Sequence, residues 1–480
     1  MKKISNYING KLVEPVGKTY IDNVNPATGE VYSLIPDSDE RDVQLAVNAA
    51  GAAFEKWSSM PVAERSNILL KIAGLIDTNL DRLATAESID NGKPVWLAKA
   101  VDIPRASSNF HFYATGAIHV ATEAHLTGNT AVNYTIRQPV GIAGCISPWN
   151  LPLYLFTWKI APALASGNCV IAKPSEITPM TAYLLSEICI EAGLPEGVLN
   201  IVHGLGPKVG AAIVSHPDIP AISFTGGTKT GEWIARTAGP MFKKLSLELG
   251  GKNPNIIFAD CNFEDTVKNS VLSSFSNQGE ICLCGSRIFV ERPIYEKFRE
   301  AFLKRVATLK VGDPLLDDSR MGAIVSKQHM EKVLSYITLA GEEGGRIIAG
   351  GKQLHLSGRI KNGYFIEPTV IEGLSYNCRT NQEEIFGPVV TLMPFETEDE
   401  VLKYANSTAY GLAATIWTEN LSRAHRVAAR LHSGIIWINC WLVRDLRTPF
   451  GGMKNSGVGR EGGFEALRFF TEEKNVCVKL

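Results

Sequence analysis

Two side chains in this sequence have the type and setting for covalent chemistry: a cysteine thiol and a glutamate carboxylate. Cys282 lies in Asn277-Gln278-Gly279-Glu280-Ile281-Cys282-Leu283-Cys284-Gly285-Ser286-Arg287, between a helical run and a β-prone run. A connection held by regular elements is where reactive groups tend to be placed. Only the thiolate attacks, and a nearby carboxylate can deprotonate a thiol or a water. Glu248, in Leu247-Glu248-Leu249-Gly250-Gly251-Lys252, offers such a carboxylate at the end of a predicted strand. Taken singly, Cys282 also reads as a small buried residue and Glu248 as a capping acid. Cys284 completes a Cys-x-Cys pair, a poor spacing for zinc, and reads as a packing residue. The histidines, His111 and His203 among them, form no ligand-like group, so neither a metal nor a catalytic histidine is expected.

A second kind of chemistry is suggested by Phe224-Thr225-Gly226-Gly227-Thr228-Lys229-Thr230-Gly231, which runs from strand through glycine turn to helix start. Backbone N–H groups at such a helix start can approach a pyrophosphate. The run is neither G-x-G-x-x-G nor a P-loop, so a phosphate cradle and a plain tight turn both stand. Lys173-Pro174-Ser175-Glu176 follows a strand end, where open α/β sheets bind ligands. Glu176 there would accept hydrogen bonds from ribose hydroxyls and repel a 2′-phosphate; the plain reading is a solvated Lys and Glu.

The elements that must position these groups follow from periodicity. With 480 residues the chain exceeds one ordinary core, so two or more domains are expected. Asn9-Gly10 between β-prone residues predicts a hairpin. Apolar residues recurring every three or four positions predict helices over 39–57, 62–88 and 95–116. Alternation predicts strands over 131–137 and 475–480, suited to pairing with each other or with another subunit. From 141 onward strands over 142–146, 168–172, 198–202, 221–224 and 244–247 alternate with helical runs, which predicts a parallel sheet covered by helices. After 251 a second such series begins, with strands over 255–258, 287–291, 389–395 and 434–439 and helices over 263–275 and 293–309.

Composition narrows the function classes. A formal charge of -1 without basic runs leaves no footprint for nucleic acid or an anionic membrane. Hydrophobic residues at 45% and charged residues at 20% fit a globular chain, with mean hydropathy near zero. The longest apolar region, 151–172, is broken by Lys159, Pro162 and Gly167, so no membrane span is expected. Two lysines at the start have no apolar run behind them, and the mature chain is expected to begin there. Nine cysteines without a disulfide or zinc-ribbon pattern point to reduced thiols in the cytoplasm.

Taken together, Glu248 and Cys282 in their motifs, Ser147-Pro148-Trp149-Asn150-Leu151-Pro152, Glu383-Glu384-Ile385-Phe386-Gly387-Pro388 and the closing Phe450-Gly451-Gly452-Met453-Lys454-Asn455-Ser456-Gly457 resemble the NAD(P)-dependent aldehyde dehydrogenase superfamily over essentially the whole chain. The resemblance implies an α/β fold with a Rossmann-like NAD-binding domain (1–117 and 141–250), a catalytic α/β domain (251–449), a small β oligomerisation arm (118–140 and 466–480) and a return to the core (450–465). It implies Cys282 as the nucleophile, Asn150 with the Cys282 backbone N–H as the oxyanion hole, and Glu248 as the base that activates water. It implies Trp149, Lys173, Ser175, Glu176, Gly206, Gly227, Thr228, Leu249, Glu384 and Phe386 as NAD contacts, and no metal. Gly227 is a departure, since many relatives carry serine there. A base at 248 implies a free acid product, because acyl-CoA-forming relatives lack it. Homodimers or homotetramers are implied as well.

Substrate choice rests on Asp102-Ile103-Pro104-Arg105 and on Cys440-Trp441-Leu442-Val443-Arg444-Asp445-Leu446-Arg447. A guanidinium fork matches a carboxylate bidentately. With both motifs the chain resembles the branch acting on 2-aminomuconate and 2-hydroxymuconate 6-semialdehydes, which implies Arg105 and Arg444 as the substrate-carboxylate contacts. A betaine-aldehyde or general aliphatic enzyme is the alternative, and a catalytically silent relative a remote one.

Overall fold

The computed structural model describes residues 1–480, with six sheets: two large ones that carry the site, two of three strands and two of two. The first sheet has eight strands in the order Gly457–Val458, Lys244–Glu248, Ala221–Thr225, Ile142–Ile146, Cys169–Lys173, Leu199–Ile201, Asn6–Ile8 and Lys11–Val13. Its five central strands are parallel. Ile142–Ile146 and Cys169–Lys173 are buried along their whole length, as continuous apolar strands covered on both faces must be. The helices Pro152–Ala165, Met180–Ala192 and Thr228–Ala238 lie in the crossovers that parallel pairing requires. The chain leaves Ile142–Ile146 toward Cys169–Lys173 and Leu199–Ile201, then crosses to Ala221–Thr225 on the other side. The switch point of the sheet therefore falls between Ile146 and Thr225, where open α/β sheets form their ligand crevice.

The second sheet has seven strands, ordered Arg346–Ala349, Thr369–Glu372, Val389–Phe395, Arg287–Glu291, Pro254–Ile257, Ala413–Trp417 and Ile435–Ile438. All but the antiparallel Arg346–Ala349 run parallel. Cys282 sits between the helix Phe263–Phe275 and the central strand Arg287–Glu291. The three-stranded sheet that includes the end of the chain pairs Thr471–Lys479 and Ala124–Thr127 with the two edges of Ala131–Pro139, all antiparallel and mostly exposed.

One contact draws the end of the chain to the thiol's neighbourhood. Gly457–Val458 pairs antiparallel with the end of Lys244–Glu248, placing Gly457 opposite Glu248. Gly457 has φ 149°, and a Cβ there would lie 2.1 Å from the Leu247 carbonyl oxygen, so no side chain fits.

The hairpin at Asn9-Gly10 forms with both residues at positive φ. Two predicted helices differ from expectation. The run over 62–88 is two helices, Val62–Thr78 and Leu80–Asn91, because Asn79 leaves helical geometry at φ −99°, ψ 16° and its amide caps Leu75 O at 2.9 Å. The run over 95–116 contains a π-helical turn, Ala98–Asp102, just ahead of Pro104. Proline has no N–H for the preceding turn and its ring crowds the carbonyl four residues back, and the wider turn relieves both.

Candidate active site

The Cys282 loop is held by backbone geometry that few sequences adopt. Asn277, Gln278 and Gly279 follow one another at φ 51°, 57° and 71°. Left-handed geometry costs an L-residue roughly 1–2 kcal/mol, so its neighbours must hold it there. Gln278 donates to Ala323 O at 3.2 Å and accepts from Gly322 N at 3.3 Å. A Cβ on Gly279 would lie 2.2 Å from Gly387 O. Asn253 Nδ2 then donates to Cys282 O at 2.7 Å and Cys284 O at 2.9 Å, and Trp441 Nε1 to Leu283 O at 3.0 Å. The backbone is pinned on both sides of the thiol, and the Cys282 side chain stands where cavities of about 490, 240 and 20 Å³ meet. Enclosure above all, and then the carboxyls of Glu384 and Glu248, push its thiol well above the ordinary range. Cys284 is buried, its thiol pushed up to about 12 mainly by burial.

Asn150 shares the 240 Å³ cavity with Cys282. Its Nδ2 donates to Glu280 O at 3.0 Å, which orients the amide and leaves a second N–H to offer. The Asn150 main-chain carbonyl accepts from Lys93 Nζ and Asn277 Nδ2, each at 3.1 Å, and Lys93 pairs with buried Asp102 at 2.8 Å. Glu248 lines the 490 Å³ cavity, and neither carboxyl oxygen has a hydrogen-bond partner in the protein. Burial, and then the charge of Glu461, hold its carboxyl well above the usual range against Lys159, Arg460 and Arg444. Glu461 is itself bound by Lys159 at 2.7 Å and Ser223 Oγ at 2.9 Å. A carboxyl raised in this way is a better proton acceptor, once ionised, than an ordinary glutamate.

The cleft at the switch point has a volume of about 670 Å³ and takes in Trp149, Lys173, Ser175, Glu176, Gly206 and Gly227. Burial raises the Glu176 carboxyl, but the charge of Lys173 at 2.9 Å and the Gly206 N–H at 3.3 Å outweigh it and hold it below its ordinary value. Ser175 Oγ accepts from Ile177 N at 3.2 Å and fixes the turn. Gly227 caps the helix Thr228–Ala238, and the Thr228 hydroxyl is buried without a partner. A Cβ on Gly227 meets nothing within 4 Å, so no steric demand explains the glycine. Leu249 fills the space over Gly231, where a Cβ would fall 2.5 Å from its methyl.

Between this cleft and the thiol, Glu384 Oε1 accepts from Gly251 N at 2.8 Å, and burial raises its carboxyl. Trp149 packs edge-on against Phe386 at 5.2 Å and His329 at 5.0 Å, and His329 Nε2 binds Phe386 O at 2.6 Å. His329 and Lys332, on one helix, line this cavity and escaped the sequence reading, as did Thr225, whose unpartnered hydroxyl borders the 490, 240 and 670 Å³ spaces. A residue at the end of an apolar strand before two glycines was the available signal for Thr225; His329 carries none apart from the fold.

Arg105 and Arg444 both line the 490 Å³ cavity with Cys282, whereas Arg447 is exposed and paired with Asp445 at 2.6 Å. The structure thus brings together Cys282, Glu248, Asn150, Arg105 and Arg444 around connected spaces, and Lys173, Ser175, Glu176, Gly206, Gly227 and Trp149 in the adjoining cleft. Such a site can take an electrophilic carbon at sulfur, an anion at the guanidiniums and a nucleotide at the switch point.

Comparison with known proteins gives a consistent picture. Residues 12–476 match the Aldehyde dehydrogenase family. The 2-aminomuconic semialdehyde dehydrogenase of Danio rerio is 52% identical over 479 residues, spanning 99% of this chain and 98% of that protein. The 2-hydroxymuconic semialdehyde dehydrogenase of Pseudomonas sp. (strain CF600) is 47% identical, with 100% of both chains covered. Among solved structures, the NAD+ complex of an aldehyde dehydrogenase from Bacillus cereus superposes with a TM-score of 0.97 at 40% identity, covering 100% of this chain and 97% of that one.

Proposed function

Because the chain belongs to the aldehyde dehydrogenase family, we propose that it oxidises a carboxylated semialdehyde, 2-aminomuconate or 2-hydroxymuconate 6-semialdehyde, to the dicarboxylic acid with NAD. The observation that carries the substrate is the placing of Arg105 and Arg444, neither in an ion pair, in the cavity that Cys282 opens into. Two guanidiniums without an ion-pair partner, facing one cavity, suit an anion. The amino and hydroxy substrates share the aldehyde and carboxylate that this cavity addresses.

The 670 Å³ cleft suits a dinucleotide: it lies at the switch point, it holds the helix start at Gly227, Lys229 and Thr230, although the Thr228 hydroxyl is buried behind its wall, and the Glu176 carboxyl is held below its ordinary range to meet ribose hydroxyls. The same charge disfavours a 2′-phosphate, hence NAD over NADP. Lys173, Ser175, Glu176, Gly206, Gly227 and Thr228 would hold the adenosine and pyrophosphate side, and Trp149, Leu249, Glu384 and Phe386 the nicotinamide side. The chemistry NAD supplies when bound is acceptance of the hydride that turns the thiohemiacetal into a thioester.

The protein's own groups do the rest. Cys282, having lost its proton to solvent, adds as the thiolate to the aldehyde carbon; the C=O π bond breaks and the oxygen takes the negative charge. The free Asn150 amide N–H and the Cys282 backbone N–H stabilise that oxygen. Glu248, once ionised, takes a proton from water as the water oxygen adds to the thioester carbon. The C–S bond then breaks and returns the thiolate.

We assign 1–117 and 141–250 to cofactor binding, 251–449 to the thiol and 450–465 to closure over Glu248. Two apolar clusters made wholly of residues from 251–449 support this division, while the largest cluster reaches across it to Ile281, Leu283 and Trp437. The arm of 118–140 and 466–480 would join subunits as a dimer or tetramer. Its exposed outer strands have edges free to pair, which is the support for it. No helix is long and apolar enough to cross a membrane. We place the protein in the cytoplasm on its nine free cysteines, the state a reducing compartment keeps.

A panel of 2-hydroxymuconate semialdehyde, 2-aminomuconate semialdehyde, betaine aldehyde and hexanal, followed by NADH absorbance, tests the reading. The expected result is kcat/KM at least about a hundredfold higher for either muconate semialdehyde, in line with one or two charge-assisted contacts. Preference for betaine aldehyde or hexanal would refute it.

A further inference from the structure

Tyr154 stands between the two cavity arginines and touches both. The Arg105 guanidinium carbon lies 5.6 Å from the centre of its ring, and its hydroxyl oxygen accepts a 2.6 Å hydrogen bond from Arg444 Nη1. The residue lies in the first turn of Pro152–Ala165, shortly after Asn150, with its own carbonyl held by Asn109 Nδ2 at 3.1 Å. Its side chain is only 6% exposed. Arg444 is enclosed on its other sides by Phe450, 4.0 Å from ring centre to guanidinium carbon, and Trp158, at 5.1 Å. Arg444 thus keeps its place through one phenol and two ring faces, with no carboxylate of the protein to hold it.

A phenol hydroxyl has one hydrogen to donate and two lone pairs. One lone pair of Tyr154 is taken by Arg444, while its O–H has no acceptor in the protein, and the residue lines the cavity. We propose that Tyr154 determines specificity: it orients Arg444 and Arg105 and donates its own O–H to the carboxylate of the semialdehyde. The acid end of the substrate is then read by three donors, one of them a hydroxyl polarised by the cation bonded to it. A neutral aldehyde has nothing to accept from that hydroxyl and gains nothing from it. This inference rests on the carboxylated substrate proposed above.

Tyr154→Phe keeps the ring against Arg105 and removes only the hydroxyl. The enzyme and this variant are compared at saturating NAD on 2-hydroxymuconate 6-semialdehyde and on hexanal, with Arg444→Ala alongside. The expected result is a KM for the semialdehyde raised roughly ten- to hundredfold, the range for a hydrogen bond to a charged group. The kcat for the semialdehyde, and the hexanal rate that reports an intact site in the same sample, should stay within about twofold. An unchanged KM for the semialdehyde, or equal losses on both substrates, would overturn the role of Tyr154. If Arg444→Ala is selective and Tyr154→Phe is not, Tyr154 alone loses its role; if Arg444→Ala is not selective either, the carboxylate reading fails and this inference with it.

Discussion

The two ends of the 490 Å³ cavity are built by different means. At the thiol end, side-chain amides of Asn253, Asn277 and Gln278 and the Trp441 indole bind main-chain atoms, so the loop is held by the protein's own hydrogen bonds. At the arginine end, Arg444 and Arg105 are placed by Tyr154, Trp158 and Phe450, through one hydrogen bond and three ring faces. Backbone pinning fixes an atom that must meet a reacting carbon within tenths of an ångström. Aromatic packing fixes a charge that needs only to face another charge. Reaction and recognition are therefore built separately here, joined by the Arg444 charge, which also favours the Glu248 carboxylate and the Cys282 thiolate. A substitution at one end should change the other far less than its own.

The largest effect should come from the thiol end. Glu248→Gln removes the base without changing shape. Steady-state turnover should fall by roughly 10²–10⁴, as loss of general base catalysis does, for acidic and neutral aldehydes alike. A first-turnover burst of NADH should remain, since thioester formation precedes water attack. Absence of a burst would move Glu248 to an earlier step and break the division.

Loop pinning is tested next. Asn253→Ala leaves the carbonyls of Cys282 and Cys284 without their shared donor, each loss costing about 1–3 kcal/mol. A fall in kcat of tenfold or more is expected for both substrate classes, together with a lower melting temperature. A selective loss on the acidic substrate would show that the two ends are coupled.

A smaller effect should appear in the pH profile. Burial and then the charge of Glu461 raise the Glu248 carboxyl, so the ionised base accumulates only well above the ordinary range and hydrolysis should rise with pH through that raised value. Glu461→Gln removes the opposing negative charge and frees Lys159 to favour the carboxylate. The acid limb of kcat should then shift to lower pH, with no change in the preference between acidic and neutral aldehydes. A shift to higher pH would contradict the electrostatics.

The smallest change is expected at Gly227→Ser. Its Cβ enters open space, so stability should hold within about 0.5 kcal/mol, the ordinary range for a change that touches nothing. The KM for NAD should fall a few-fold if the added hydroxyl reaches phosphate, as measured by NAD titration at fixed aldehyde.

The strands that carry Lys173 and Glu248 were legible as apolar runs, each one residue short of its observed end, and motif context singled out both side chains; Thr225, at the end of a third such strand, was not singled out. The recognition end was legible only as residue types. Arg444 and Arg447 lie three residues apart, and spacing cannot say which faces inward; Tyr154, Trp158 and Phe450, from other parts of the chain, decide it. Glu461 is brought near Glu248 by long-range contacts, the pairing of Gly457–Val458 with Lys244–Glu248 and its own bonds to Lys159 and Ser223. The break at Asn79 and the π-turn before Pro104 were hidden because the apolar period continues across both, while one side-chain cap and one missing N–H change the backbone.

The most direct test of recognition by guanidinium is the ratio of kcat/KM for 2-hydroxymuconate semialdehyde to that for hexanal, measured in Arg444→Ala against the unaltered enzyme. Loss of a charge-assisted contact should lower that ratio roughly ten- to hundredfold, with hexanal turnover retained. An unchanged ratio, with both substrates losing alike, would contradict an acidic substrate held at Arg444.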